Sequence, residues 1–187
     1  MNSIDSIYNW NSLQSITYFH LLSGDRINPC KNLAYAQDFM KHNTGLQSIV
    51  TTLRYYANGY RDTTFKLSRL KSDWNTYFTQ LQTLYINDDH WNREDLSKLL
   101  HLNSFLIYAS TQNHQDDINS PLVPLPQQVI DSIFIQIAAG AGQTINNGAI
   151  GIFAGGGTRS AASDGAVQFL LSKGWVLALN GVYITQP

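Results

Sequence analysis

The chain has 187 residues, of which 43% are hydrophobic and 12% aromatic, enough for one folded domain with a sizeable core. Charged residues make up only 13% of the sequence, and the formal net charge is −1. Domains that bind nucleic acid carry a basic surface, so this composition argues against nucleic acid as the main partner. We expect Asn, Gln, Ser and Thr to supply the polar surface instead.

The sequence contains one cysteine, Cys30, so a disulfide within the chain is not expected. The first residues, Met1 to Asp5, include neither a basic cluster nor a long apolar run, and they therefore do not predict a signal peptide. No stretch offers the roughly 18 consecutive apolar residues of a transmembrane helix. As written, the sequence predicts a cytoplasmic protein that does not insert into membranes.

The first half of the chain alternates short apolar runs with stretches of helical periodicity, which predicts strands separated by helices. Turn residues such as Asn58 and Gly59 separate the two kinds of stretch. The helix near 93–101 would return the chain to a fourth strand. The other predicted elements are a capping helix over 4–12, strands over about 14–20, 47–53 and 82–87, and helices over 33–41 and from residue 67 onward.

The second half begins with a polar, proline-rich segment over 111–126, which predicts an exposed loop. A helix is expected over 127–139, although its many isoleucines would also suit a strand. Asn180 and Gly181 lie between two apolar runs, which predicts a β-hairpin that closes the sheet edge. The remaining predicted elements are a strand over 149–153, a helix over 164–173 that Gly174 ends, and hairpin strands over 176–179 and 182–184.

One pattern of seven residues occurs four times before residue 110. A leucine is followed by two polar residues and a large apolar residue, and the residue two places later is apolar in three copies. Side chains alternate along a strand, so the fourth and sixth residues would face a core, and the fifth and seventh would face away from it. One copy cannot bury its apolar side alone, so the copies are expected to stack into a parallel sheet. The copies begin at Leu13, Leu46, Leu81 and Leu102.

This pattern resembles the leucine-rich-repeat family over residues 13–110. A second resemblance covers about 128–180, where a strand with the sequence Ala149-Ile150-Gly151-Ile152 precedes a glycine-rich loop that ends at Thr158. A helical segment over 160–171 and the step Lys173-Gly174-Trp175 follow. This succession looks like the terminal repeats of bacterial leucine-rich-repeat proteins.

The resemblance implies an α/β fold, an irregular leucine-rich-repeat-like solenoid with a parallel sheet on one face, helices on the other and a C-terminal hairpin cap. The chain would then form a single domain over 1–187. Its parts would be an N-terminal cap over 1–12, irregular repeats over 13–110, a loop over 111–126, and terminal repeats with a cap over 127–187.

The fifth and seventh residues of the four copies define a candidate binding surface. Tyrosine offers a rigid apolar ring with a polar tip, which suits it to binding surfaces. The same side chains would also be explained by packing on one another along the sheet or against a neighbouring copy, and both interpretations stay open. The candidate partner-binding residues are Phe19, Tyr85, Asn87, Leu106 and Tyr108.

A polar cluster after the third copy contains side chains with oxygen and nitrogen atoms that could bind a metal. It lacks the alternating ligands and central glycine of a calcium loop, and a solvated turn with Asp or Asn capping a helix is the favoured explanation. The cluster consists of Asp88, Asp89, His90, Glu94 and Asp95. The other histidines are scattered, so no metal and no cofactor is predicted.

The glycines between residues 140 and 157 do not form a phosphate loop, because no Lys-Ser or Lys-Thr pair follows them. They are expected to serve tight turns. Ser160, Ser163 and Asp164 are not surrounded by a nucleophile-elbow pattern and are expected to begin a helix.

The sequence predicts no catalytic residues. Its favoured function is a non-enzymatic module that binds a protein or a glycan through the open face of a parallel sheet. The alternative is a structural or assembly component, such as part of a phage or surface fibre, in which copies of the chain associate. An enzyme is the third possibility.

Overall fold

The computed structural model describes residues 18–22, 45, 47–52, 78–87, 95–108 and 124–186. In these ranges the chain forms seven strands and three α-helices, together with a short 3-10 helix at Ala161–Ser163. The strands are β1 (Tyr18–Leu22), β2 (Ser48–Thr52), β3 (Thr83–Asn87), β4 (Ser104–Tyr108), β5 (Ala149–Phe153), β6 (Val176–Leu179) and β7 (Val182–Ile184). The helices are α1 (Gln127–Ala139), α2 (Ala141–Thr144) and α3 (Asp164–Ser172).

All seven strands belong to one sheet, in which their spatial order follows their order along the chain. Strands β1 to β6 are parallel to one another, and β7 is antiparallel to β6. The protein is therefore of the α/β class, with a mixed, mostly parallel sheet, and this part of the expected fold is confirmed.

The core lies on one face of the sheet, which we call the inner face. Alternate residues of the strands point into it, and α1 and α3 supply the opposing apolar side chains of the same buried cluster. This arrangement follows from the alternation of side chains along a strand. The buried apolar strand residues are Leu84, Phe105, Ile107, Ile150, Ile152 and Leu177.

A recurring set of backbone hydrogen bonds joins the starts of successive strands. The carbonyl of Gln47 accepts from the N–H groups of Gln82 and Thr83, and the carbonyl of Gln82 accepts in the same way from Asn103 and Ser104. The leucine that begins each of these two copies is fully buried, and the residues are Leu81 and Leu102. In these two copies the leading leucine thus anchors the segment before the strand in the core.

Helix α1 has the bounds that the sequence predicted, and its isoleucines belong to a helix rather than a strand. Residues at positions such as Ile130, Phe134 and Ile137 fall on one side of a helix with 3.6 residues per turn, and all three are buried. Ile135, on the other side, is 42% exposed.

The connection from α3 to β6 is held by Trp175, whose side chain is buried. Its indole N–H donates to the carbonyl of Ile145 at 3.0 Å, so its polar group is satisfied inside the core. Its backbone N–H donates to the carbonyl of Leu170 and closes the last turn of α3. The predicted helix stop at Gly174 is confirmed, because this residue has the positive φ of 78° that follows many helices.

The β6–β7 hairpin also confirms the prediction. Asn180 and Gly181 have φ angles of 51° and 79°, as a two-residue type I′ turn requires. The Asn180 side chain in addition accepts from the N–H of Ala154 at 2.8 Å and donates to the carbonyl of Gly157 at 2.8 Å. The turn is thereby tied to the loop that follows β5.

The helix predicted over 93–101 is wrong in the range 95–101, which forms successive turns. The N–H of Leu99 donates to Leu96, and that of Leu102 donates to Leu99. Buried leucines spaced three residues apart fit these i to i+3 hydrogen bonds better than an α-helix, which would rotate them progressively off one side.

Several other predictions lie outside the described residues, among them the helices over 4–12 and 33–41. Of the helix expected from residue 67, only 78–81 is described, and these residues form a turn, in which the N–H of Leu81 donates to the carbonyl of Phe78 at 3.0 Å, instead of an α-helix. Of the loop over 111–126, only 124–126 is described, and Leu125 is buried there rather than exposed.

Candidate functional site

The face of the sheet opposite to the helices is the candidate site, and we call it the outer face. It consists of the strand residues that alternate with the inner ones, and the register places them in rows across the strands. By register, the first row contains Tyr18, Ser48, Thr83, Ser104, Ala149 and Val176. The second row contains His20, Val50, Tyr85, Leu106, Gly151, Ala178 and Tyr183, and the third contains Asn87, Tyr108 and Phe153.

Four of the five predicted site residues lie in these rows. Tyr85 and Leu106 are direct register partners, as are Asn87 and Tyr108. The side chains of Tyr85 and Leu106 are half-buried, so each keeps part of its surface on the outer face. The register therefore groups these four positions on β3 and β4.

Phe19 does not join them. The sequence pattern placed it in line with Thr52 and Asn87, but β1 is shifted by three residues, and Phe19 is the register partner of Ile49. Ile49 in turn pairs with Leu84, a residue of the inner face. An odd shift moves every residue of a strand to the other face, so the assignment of Phe19 to the binding surface is wrong.

The Tyr85 hydroxyl lies 2.8 Å from the Ser104 hydroxyl. The two residues are on neighbouring strands, so this hydrogen bond fixes the tip of the tyrosine across the sheet. The contact is one of the cross-strand pairs that stabilise a sheet. Part of the packing interpretation therefore applies to Tyr85, while its half-buried ring still contributes surface to the outer face.

Leu106 leans over its register partner, Gly151. A Cβ atom at Gly151 would lie 2.6 Å from Leu106 Cδ1, closer than two carbon atoms can approach. Glycine at this position thus lets Leu106 lie flat along the outer face instead of projecting from it.

The seven-residue pattern ends at the fourth strand, so it does not reveal that the outer face continues over β5 to β7. Val176 is 52% exposed and Tyr183 is 70% exposed, and Phe153 and Ala178 are half-buried. The sequence does contain a signal for these four residues, because they occupy alternate positions of the predicted strands 149–153, 176–179 and 182–184. At the other side, Ser48 of β2 is buried.

The sheet carries no Asp, Glu, Lys or Arg in any of its seven strands. Strands β3 to β7 also contain no histidine, so their part of the outer face is uncharged and combines hydroxyl groups with tyrosine and aliphatic surface. An uncharged face gives no compensation to a charged group that loses its water on binding. The chemistry of the face thus suits a neutral partner surface.

A second polar group lies at the junction of α1 and α3, on the inner side. Asp131 of α1 is buried and accepts hydrogen bonds from the Ser160 N–H at 2.9 Å and from the Ser163 hydroxyl at 2.7 Å. The Ser160 hydroxyl donates to its other oxygen. Ser160 also accepts from the N–H of Ala162, which confirms that Ser160 begins the helical segment.

Burial by itself would raise the pKa of Asp131, because it disfavours the charged form. Hydrogen bonds from Ser160 and Ser163 and the nearby charge of Arg159 together outweigh this effect, so the pKa lies below its ordinary value. Arg159 in addition forms an ion pair with Asp164, the first residue of α3. The carboxylate of Asp131 thus satisfies the start of the helical segment, and we assign this cluster a structural role.

Within the described ranges, no group of three or more His, Cys, Asp or Glu side chains is placed to hold a metal ion. Of the polar cluster 88–95, only Asp95 is described, and its carboxylate accepts from the backbone N–H of Ser97 at 3.0 Å. This contact is an Asx turn within the turns over 95–101. None of the described helices has the length and apolar character of a membrane span.

The chain matches no protein-family model, no curated protein and no solved structure. The geometry and chemistry of the outer face are therefore the basis for a functional assignment.

Proposed function

We propose that this chain is a non-enzymatic interaction module that binds a protein or carbohydrate partner through the outer face of its sheet. The observation that carries the proposal is the composition of that face. It presents partly exposed tyrosine and aliphatic side chains over strands that contain no Asp, Glu, Lys or Arg.

The finer architecture that we propose is an irregular, leucine-rich-repeat-like stack. Two observations support it. The strands lie in the sheet in the order of the chain, and the strand starts repeat one hydrogen-bond pattern from Gln47 to Gln82 and from Gln82 to Asn103. Stacked units of this kind expose one broad sheet surface, which is the surface that such proteins use for binding.

The chemistry of the face indicates the class of partner. The central parts of protein interfaces are depleted in charged residues and enriched in tyrosine, and an exposed ring such as Tyr183 can fill a pocket on a partner or stack on the C–H face of a sugar. Hydroxyl groups such as that of Thr83 would supply hydrogen bonds to either kind of partner. Nucleic acid is disfavoured, because its phosphates require basic residues.

A binding screen with a matched control tests the proposal. The double variant Tyr85→Glu, Tyr108→Glu places two charges on the outer face, whereas Ile135→Glu places one charge on an exposed position of α1. Protein and neutral-glycan libraries would be screened with wild type and both variants, and melting temperatures would be measured alongside.

We expect a ligand that wild type and Ile135→Glu bind and the double variant does not, with all three melting temperatures within a few degrees. A ligand that the double variant binds as tightly as wild type would contradict the assignment of the outer face. A loss of more than about 10 °C in the double variant would show that these tyrosines belong to the core, since 1 kcal/mol corresponds to about 2–4 °C at this size.

The second candidate function is assembly of copies of the chain, which the exposed apolar residues of β7 favour. Val182 and Tyr183 are each 70% exposed and lie at the edge of the sheet. Sedimentation separates the two functions, because an assembly component forms ever larger species as the concentration rises, whereas a binding module forms nothing larger than a closed dimer.

A further inference from the structure

Among the described strands, β7 forms an edge of the sheet, and the side of β7 that faces away from β6 carries backbone groups that the hairpin does not use. In a two-residue β-turn the residue after the turn donates to the carbonyl of the residue before it, here Val182 to Leu179. Hydrogen bonding then alternates along an antiparallel strand. Ile184 therefore also bonds toward β6, whereas the N–H and C=O groups of Tyr183 and Thr185 point away from the sheet.

This edge has few of the features that prevent edge-to-edge pairing. Natural edge strands are protected by charged side chains, prolines or bulges. From Trp175 to Gln186 the sequence contains neither a charged residue nor a proline, and β7 pairs with β6 in an unbroken register. Its side chains include Val182 and Tyr183, each 70% exposed.

We propose that β7 pairs antiparallel with β7 of a second copy of this chain, so that two sheets join into one. Two-fold symmetry requires that a strand be complementary to itself. Placing Ile184 opposite its own copy brings Tyr183 opposite the partner copy's Thr185. These are the two residues whose backbone groups point outward, so the pairing forms four backbone hydrogen bonds.

The side chains fit the same arrangement. Ile184 is partly buried and packs against the core, and its contact with the second Ile184 joins the inner faces of both copies. Aromatic and β-branched pairs across strands are stabilising, which applies to Tyr183 beside threonine. Because the edge is neutral, two copies of it pair without bringing like charges together. A charged strand of another protein would instead have to place its charges against this uncharged edge.

The pairing would also place both outer faces on one side of the joined sheet, because a two-fold axis perpendicular to a sheet keeps its faces. The candidate binding surface would then be doubled. Four hydrogen bonds and a small apolar contact, set against the cost of association, give an expected dimer dissociation constant of roughly 10 μM to 1 mM.

Sedimentation velocity of the full chain, from about 5 μM to about 1 mM, tests this inference. Thr185→Pro removes an outward N–H group, whereas Gln186→Pro places the same ring one residue further, where the alternation turns the N–H group away from the edge. Tyr183→Lys is the independent variant, because it brings two positive charges near the two-fold axis.

We expect wild type and Gln186→Pro to dimerise as the concentration rises. Thr185→Pro and Tyr183→Lys should raise the dissociation constant roughly tenfold or more, at melting temperatures close to wild type. The inference is overturned if wild type remains monomeric up to 1 mM, or if Thr185→Pro dimerises as wild type does. A dimer lost in Tyr85→Glu but kept in Thr185→Pro would place the contact on the outer face and also overturn it.

Discussion

The inner and outer faces of the sheet are built from alternate residues of the same strands, and they differ in what surrounds them. On the inner face, Leu84 and Phe105 are buried against the helices. On the outer face, their chain neighbours Tyr85 and Leu106 keep part of their surface exposed. A step of one residue thus separates the side chains that hold the fold from those that we assign to binding.

Substitutions on the two faces should differ most in their cost to the free energy of unfolding at the start of β6. Trp175→Ala removes a buried ring and its hydrogen bond to Ile145, and should lower the free energy of unfolding by about 3–5 kcal/mol. Val176→Ala changes the next residue, which is 52% exposed on the outer face, and should cost below about 1 kcal/mol. Urea unfolding of both variants measures the contrast, and equal losses would contradict the division into faces.

A smaller loss of stability is expected when the polar cluster around Asp131 on the inner side is changed. Asp131→Asn keeps the size of the side chain but removes the charge that the Ser160 and Ser163 hydrogen bonds stabilise. We expect a loss of about 1–3 kcal/mol in the free energy of unfolding at neutral pH.

The pH dependence of this loss follows from the lowered pKa of Asp131. A carboxyl group with a lower pKa in the folded state stabilises the fold above its unfolded pKa, and this contribution is lost as the pH falls through the folded pKa. Wild type and Asp131→Asn should therefore become closer in stability below about pH 4. A difference that stays constant from pH 7 to pH 3 would show that the carboxylate charge does not matter.

The smallest effect is expected on the outer face itself. Tyr85→Phe and Ser104→Ala each remove the hydrogen bond between the two hydroxyl groups, and each should cost about 0.5–1.5 kcal/mol. The double variant should cost less than the sum of the two single variants, because the same hydrogen bond is counted once. Strictly additive losses would show that the bond contributes nothing to stability.

Much of the second half of the fold could be predicted from local signals. The turn at Asn180 and Gly181 and the helix stop at Gly174 depend on backbone conformations that few residues adopt, and both were found. Helix α1 was also placed within its observed bounds.

The first strand shows where local signals fail. Leu13 with Ile16 satisfies the seven-residue pattern, but Ile16 with Phe19 satisfies its apolar positions as well. Pairing with β2 selects between them, and it places Phe19 beside Ile49. A three-residue shift is invisible in the sequence, yet it reverses the faces and removes Phe19 from the candidate site.

The sequence predicts those residues of the candidate site that alternate with buried residues along a single strand. Tyr85 and Leu106 were found because they follow buried anchors at fixed spacing. The contribution of Tyr183 depends on the antiparallel register of β7 with β6, which brings it into the row of Tyr85 only after the chain reverses direction.

Two neighbouring residues of β3 provide the most direct test of the account. Leu84→Ala and Tyr85→Ala would be compared by urea unfolding and by binding to a ligand selected with wild type. We predict that Leu84→Ala loses about 2–5 kcal/mol of stability and keeps its affinity while folded. Tyr85→Ala should lose its affinity for the ligand but less stability than Leu84→Ala, about 2 kcal/mol at most. Equal stability losses, or a Tyr85→Ala variant that binds as wild type does, would contradict the assignment of the outer face.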